Sequence, residues 1–132
     1  MKILIVEDDF ISRLVLQKIL TPYGSCDIAV NGIEAITAFS HSLEQGDPYD
    51  LICLDIMMPE MDGRDALKII REKEKLMNIA PNKEVKIIMT TALGAPKDVF
   101  DAFYQGGCTS YLVKPIEKKR LIELLKDYKL ID

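Results

Sequence analysis

Apolar residues along this chain follow two rhythms. Five short runs are dominated by them: ILIV at 3–6, DIAV at 27–30, LICL at 51–54, KIIMT at 86–90 and YLV at 111–113. Between and after these runs the apolar positions recur with the period of a helix. Ile36, Phe39 and Leu43 fall at i, i+3 and i+7, and Leu121, Leu124, Leu125 and Tyr128 at i, i+3, i+4 and i+7. Leu67 and Ile70 continue the pattern after Gly63. Val99, Ala102 and Phe103 do so after Pro96, a residue suited to the first turn of a helix. Runs that do not alternate suit parallel strands covered on both faces. Strand and helix then alternate with short loops, which predicts a doubly wound α/β fold: a five-stranded parallel sheet with helices on both faces. One domain over 1–132 is expected, with no output domain, and residues 78–84 read as a longer surface loop.

In such folds ligands sit beyond the carboxyl ends of the strands. The first strand delivers Glu7, Asp8 and Asp9 there, the third Asp55, the fourth Thr90 and Thr91, and the fifth Lys114 followed by Pro115. The second offers only Asn31 and Gly32, a turn. Taken singly, each signal has a bland explanation. Asp9 is placed to cap the first helix, Lys-Pro is usually a turn, and so is Asp62-Gly63. Four of five strands carrying polar groups to one rim is a different matter.

Composition narrows the chemistry. Hydrophobic residues make up 48% and charged residues 29%, as in ordinary globular proteins. A net charge of -4 and a pI near 5.1 exclude the basic surface that nucleic acid requires. The apolar start meets acids by Glu7, too soon for a signal peptide or a membrane span. Cys26, Cys53 and Cys108 are odd in number and form no CxxC pair, so reduced thiols and a cytoplasmic location are expected. A single histidine, His41, leaves no zinc site, and it is expected on a helix surface without a role.

With strand order 2-1-3-4-5 the first and third strands are neighbours, about 4.8 Å apart. Glu7, Asp8 and Asp55 then crowd together, and two carboxylates ~4 Å apart repel by roughly 4 kcal/mol at an effective dielectric near 20. Oxygen donors with room for water suit Mg²⁺. A carboxylate flanked by Mg²⁺, the Lys114 ammonium and the Thr91 hydroxyl is equipped for phosphoryl transfer, because aspartate can form an acyl phosphate. Asp55 is the candidate acceptor.

The segments ILIVEDD, LICLDIMMPEMDG, TTA and YLVKP, in this order and across essentially the whole chain, resemble the response-regulator receiver domain of the CheY type, a flavodoxin-like fold. That resemblance implies a phospho-accepting part in two-component signalling. Asp8 would be a direct Mg²⁺ ligand, Glu7 would act through water, and the Met57 carbonyl would join Asp55 as a ligand. Asp55 would be phosphorylated, Lys114 would bind phosphate, and Thr91, which precedes Ala92, would be the switch hydroxyl. Tyr111 matches the switch aromatic. Phe100 and Tyr104, beside it and rimmed by Lys118, Lys119 and Arg120, would form an exposed output face. A sensor histidine kinase or phosphotransfer protein would donate the phosphoryl group, and a separate protein target would read it, with neither nucleic acid nor membrane involved. The chain would assist its own phosphorylation without being an enzyme. The Lys114-Pro115 bond would be cis, which costs ~0.5–1 kcal/mol before proline. Met57 and Leu93, two residues after Asp55 and Thr91, would flank the site mouth and shield the phosphoryl group from water.

Two rivals fit less well. A flavodoxin-like redox protein needs a phosphate-binding loop after the first strand, where EDDFIS repels anions. A haloacid-dehalogenase-type phosphatase resembles DxDxT, and Met57 stands where its second acid would be.

Overall fold

Each apolar run folds into a strand, and all pairings are parallel. The strands are β1 (Lys2–Val6), β2 (Ser25–Ala29), β3 (Leu51–Asp55), β4 (Lys86–Thr91) and β5 (Ser110–Val113), in the order β2-β1-β3-β4-β5. The computed structural model describes residues 1–92 and 107–132. Its helices are α1 (Phe10–Leu20), α2 (Gly32–Glu44), α3 (Gly63–Leu76) and α4 (Lys118–Asp127). The helical stretch expected after Pro96, with Leu93, Phe100 and Tyr104, lies outside the described residues. Among those described, no helix is long and apolar enough to cross a membrane.

Alternation along the central strands divides the core in two. Leu4, Val6, Ile52, Leu54, Ile87 and Met89 pack against Ala35 and Phe39 of α2 and Ala66, Leu67 and Ile70 of α3. Ile3, Ile5, Leu51, Cys53, Ile88 and Leu112 pack against Leu16, Ile19 and Leu20 of α1 and Leu121, Leu124 and Leu125 of α4. Both faces of the sheet are covered, as its apolar runs require. Only β2 departs from the sequence pattern. It is an edge strand, begins at Ser25 and stops at Ala29, so Val30 lies past its end. Ser25 and Asp27 are exposed there, because an edge has one pairing neighbour and one thinly covered face.

The helices start where side chains satisfy their free N–H groups. Asp9 accepts from the Ser12 N–H at 2.8 Å, Asn31 from that of Glu34 at 2.8 Å, and Asp62 from those of Arg64 and Asp65. Asp9 is therefore the cap its position suggested, and these bonds hold its carboxyl below the usual range. His41 is exposed in the last turn of α2, and all three cysteines are free thiols.

The amino-terminal edge of the sheet is tied by side chains. The Lys2 N–H donates to Asp50 Oδ2 at 2.8 Å, and that of Ile87 to Thr109 Oγ1 at 2.9 Å. Glu74, buried on α3, accepts from the Val85 N–H at 2.8 Å and pairs with Arg71. Arg71 Nε in turn donates to the Gly107 carbonyl at 2.9 Å. Sequence periodicity gave no hint of this knot, since a buried glutamate reads as an ordinary surface residue of a helix.

Candidate functional site

The carboxyl ends of β1, β3, β4 and β5 meet at one rim. The register pairs Val6 with Leu54, Asp55 with Thr90, and Thr90 with Leu112. Carried one step past the end of β1, this places Glu7, Asp55 and Thr90 in one row across the sheet. The row lies on the face that Ile5, Cys53 and Ile88 share with α1 and α4. Asp55 thus has an acid on one side and a hydroxyl on the other. Glu7, Asp55, Thr90 and Thr91 are all buried, while Asp8 is exposed.

Carboxylate oxygens of Glu7, Asp8 and Asp55 lie within 4.8 Å of one another. Lys114 reaches over from the end of β5. Its Nζ is 2.8 Å from Glu7 Oε2 and 3.5 Å from Asp55 Oδ1. The Lys114-Pro115 peptide is cis, as expected. The Lys114 N–H donates to the Thr91 carbonyl at 2.7 Å, which ties the lysine to the end of β4. Burial pulls the ammonium pKa down, yet Glu7 and Asp55 together outweigh it and hold it above its ordinary value. Asp55 moves the other way for a carboxylate. Burial first, and the Glu7 charge second, push it up to about 7 against the opposing pull of Lys114.

The acidic loop is held by backbone and by one residue that periodicity did not single out. Glu7 Oε1 accepts from the Asp9 N–H at 3.0 Å. An Arg13 guanidinium nitrogen, one turn into α1, donates to the Glu7 carbonyl at 3.1 Å and the Asp8 carbonyl at 3.5 Å. Past Asp55 the chain turns back sharply. The Gly63 N–H donates to the Ile56 carbonyl at 2.9 Å, and a Cβ on Gly63 would lie 2.3 Å from the Asp55 carbonyl oxygen. Asp62-Gly63, expected as a simple turn, is instead the start of α3, with Asp62 as its cap and Gly63 as its first residue. The glycine is required because the acceptor strand passes so close. Met57, two residues past Asp55, is 71% exposed at the mouth, and its N–H is 3.4 Å from Asp55 Oδ1. Tyr111, the register partner of Met89, is half-buried against the core on the α2–α3 side.

Three carboxylates facing one ammonium leave excess negative charge at a rim where two of the acids are out of water. Hard oxygen donors so arranged fit a small divalent cation. The donor set agrees with Mg²⁺ far better than with zinc, which would want histidine or cysteine.

The family model described as response regulator receiver domain matches residues 3–126. Hybrid signal transduction histidine kinase L of Dictyostelium discoideum is 36% identical over 128 residues, 96% of this chain and 7% of that protein. Chemotaxis protein CheY of Thermotoga maritima is 34% identical over 126 residues, covering 94% of this chain and 93% of that one. Among solved structures, the receiver domain of the histidine kinase CKI1 from Arabidopsis thaliana, complexed with Mg²⁺ and BeF3⁻, matches with a TM-score of 0.82 at 27% identity. That match covers 98% of this chain and 90% of the other. The chain spans a small part of the hybrid kinase's length and nearly all of the chemotaxis protein's.

Proposed function

The chain belongs to the response regulator receiver domain family of two-component signalling, and from that premise we propose that Asp55 is its phosphoacceptor. The observation that carries this is the cluster itself: Glu7, Asp8 and Asp55 within 4.8 Å, with the Lys114 ammonium 3.5 Å from Asp55. An Asp55 oxygen attacks the phosphorus of a phosphohistidine, the phosphorus–nitrogen bond breaks, and the imidazole leaves with a proton. Asp8 and Asp55 would hold Mg²⁺ directly with the Met57 carbonyl, and Glu7 would act through water. The ion would supply neutralising charge for the phosphoryl oxygens. Lys114 gives up its place between Glu7 and Asp55 to bind a phosphoryl oxygen. Thr91, at the end of β4, donates to another. This is self-assisted modification of one aspartate, without turnover of a further substrate.

The donor is a sensor histidine kinase or phosphotransfer protein. α1 supports such docking. It begins directly after Asp9, and Phe10, Ile11, Leu14 and Val15 expose one continuous apolar face of the helix, Phe10 being 62% and Ile11 65% exposed. An apolar surface at the lip of the site suits a protein that must bring an imidazole to Asp55. The signal leaves through β5 and α4, where Tyr111 turns inward once Thr91 is drawn to the phosphoryl group. The target there is a separate protein. Phe100 and Tyr104, proposed for the same face, lie outside the described residues.

The test is Mg²⁺-dependent labelling by acetyl phosphate, read by mass spectrometry. Wild type is expected to gain one acid-labile phosphoryl group and Asp55→Asn none. Equal labelling of the two proteins would refute the assignment.

A further inference from the structure

Thr90 stands out among the buried groups. Its side chain is 1% exposed, and its Oγ1 has no hydrogen-bond partner among the described residues. Buried hydroxyls are normally satisfied. This one sits in the row of Asp55 and is its register partner on the adjacent strand. Side chains paired in this way are cross-strand neighbours on one face of the sheet. Sequence reasoning passed over Thr90 in favour of Thr91, because only Thr91 precedes Ala92.

We infer that Thr90 is a positioning residue for phosphoryl acceptance: its hydroxyl donates to the Asp55 carboxyl oxygen that Lys114 vacates. The inference rests on Asp55 being the acceptor. In the resting site Asp55 Oδ1 faces Lys114 Nζ at 3.5 Å and the Met57 N–H at 3.4 Å, and the Thr90 hydroxyl is left over. Once a phosphoryl group is on Asp55, its negative oxygens compete for the Lys114 ammonium. The acyl phosphate's remaining carbonyl oxygen then loses the Lys114 ammonium while still enclosed. Thr90 is the in-row neighbour whose hydroxyl has no other partner among the described residues. A hydrogen bond absent at rest and present when loaded favours the loaded state.

The experiment compares wild type, Thr90→Val and Thr90→Ser by two readouts: thermal unfolding without metal, and affinity for BeF3⁻ in saturating Mg²⁺. Thr90→Val keeps the shape and deletes a hydroxyl that is unpaired at rest. Its metal-free midpoint should therefore equal or exceed that of wild type, while its BeF3⁻ affinity falls about tenfold, or ~1.4 kcal/mol. Thr90→Ser should restore the affinity. Unchanged BeF3⁻ affinity in Thr90→Val overturns the inference. So does an equal loss in Thr90→Ser, since a packing role needs the methyl group and a donor role needs the oxygen. Asp55→Asn serves as the control. If it is labelled by acetyl phosphate like wild type, the acceptor assignment fails. If it stays unlabelled while Thr90→Val binds BeF3⁻ normally, only the role of Thr90 is lost.

Discussion

The Lys114 ammonium lies closer to Glu7, at 2.8 Å, than to Asp55, at 3.5 Å. Glu7 Oε2 is buried and, among the described residues, has no hydrogen bond besides this ion contact. In the resting site the lysine therefore neutralises Glu7 first. Removing one member of a buried pair leaves the other charge stranded, typically at several kcal/mol. Lys114→Met should destabilise the metal-free protein by about 2–3 kcal/mol, as measured by urea unfolding. Saturating Mg²⁺ should recover much of that loss, since the cation meets the same charge. A deficit of equal size with and without Mg²⁺ would mean that Lys114 supports something other than the acidic cluster.

Asp55 gives the protein a pH dependence of defined sign. Its carboxyl, with an ordinary value of 3.8, is pushed up to about 7 by burial and by Glu7. The folded state therefore holds this proton more tightly than the unfolded chain does. The group's contribution to stability is complete below pH 3.8 and is lost as pH rises through 7. Metal-free wild type should lose stability over that window. Asp55→Asn should lose less, and should exceed wild type by about 1–2 kcal/mol at pH 8. Melting curves recorded at intervals from pH 5 to 8 check this. Parallel curves for the two proteins would rule it out.

Docking through α1 separates protein donors from small ones. Ile11→Lys and Leu14→Asp alter exposed side chains and leave the acidic cluster untouched. Transfer from a phosphorylated histidine protein should slow tenfold or more, while labelling by acetyl phosphate should stay within twofold of wild type. Equal slowing with both donors would place the effect in the site instead of on its approach.

The lifetime of the phosphoryl group should depend on Met57. Its side chain is exposed at the mouth and offers hydrolytic water no useful hydrogen bond. Positioning of water by a polar group is commonly worth ~10²–10⁴-fold. Met57→Asn should therefore shorten the half-life by at least tenfold in a decay assay after donor removal. An unchanged half-life would move control of the water to another residue. Leu93, the second residue assigned to this role, lies outside the described residues.

How much of this was legible in the sequence follows from the kind of pattern each feature leaves. β1, β3 and β4 were plain because strands buried on both faces must be apolar at every position. β2 was misplaced at both ends, since an edge strand carrying Ser25 and Asp27 leaves no such trace. The identities of Glu7, Asp8, Asp55 and Lys114 were legible from their places at strand ends. Their relative depth was not. Glu7, on the inward face, is the acid beside Asp55, and Asp8 is turned to solvent, a difference set by register and alternation. Arg71 and Glu74 escaped because each bonds a backbone group far from it in sequence, and Arg13 because it bonds backbone carbonyls of the preceding loop, which leave no side-chain pattern.

The ties along the amino-terminal edge of the sheet have a mechanical consequence. Lys2 to Asp50, Glu74 to Val85, Thr109 to Ile87 and Tyr128 to Thr109 all fasten the ends of strands remote from the acidic rim. The sheet is thus clamped along one margin and loaded at the other, like a row of keys hinged at a common rail. A displacement begun at Asp55 or Thr91 should be largest at the rim and die out toward the rail. Substitutions at the clamp should therefore change how firmly the protein stands and leave unchanged what it says when struck.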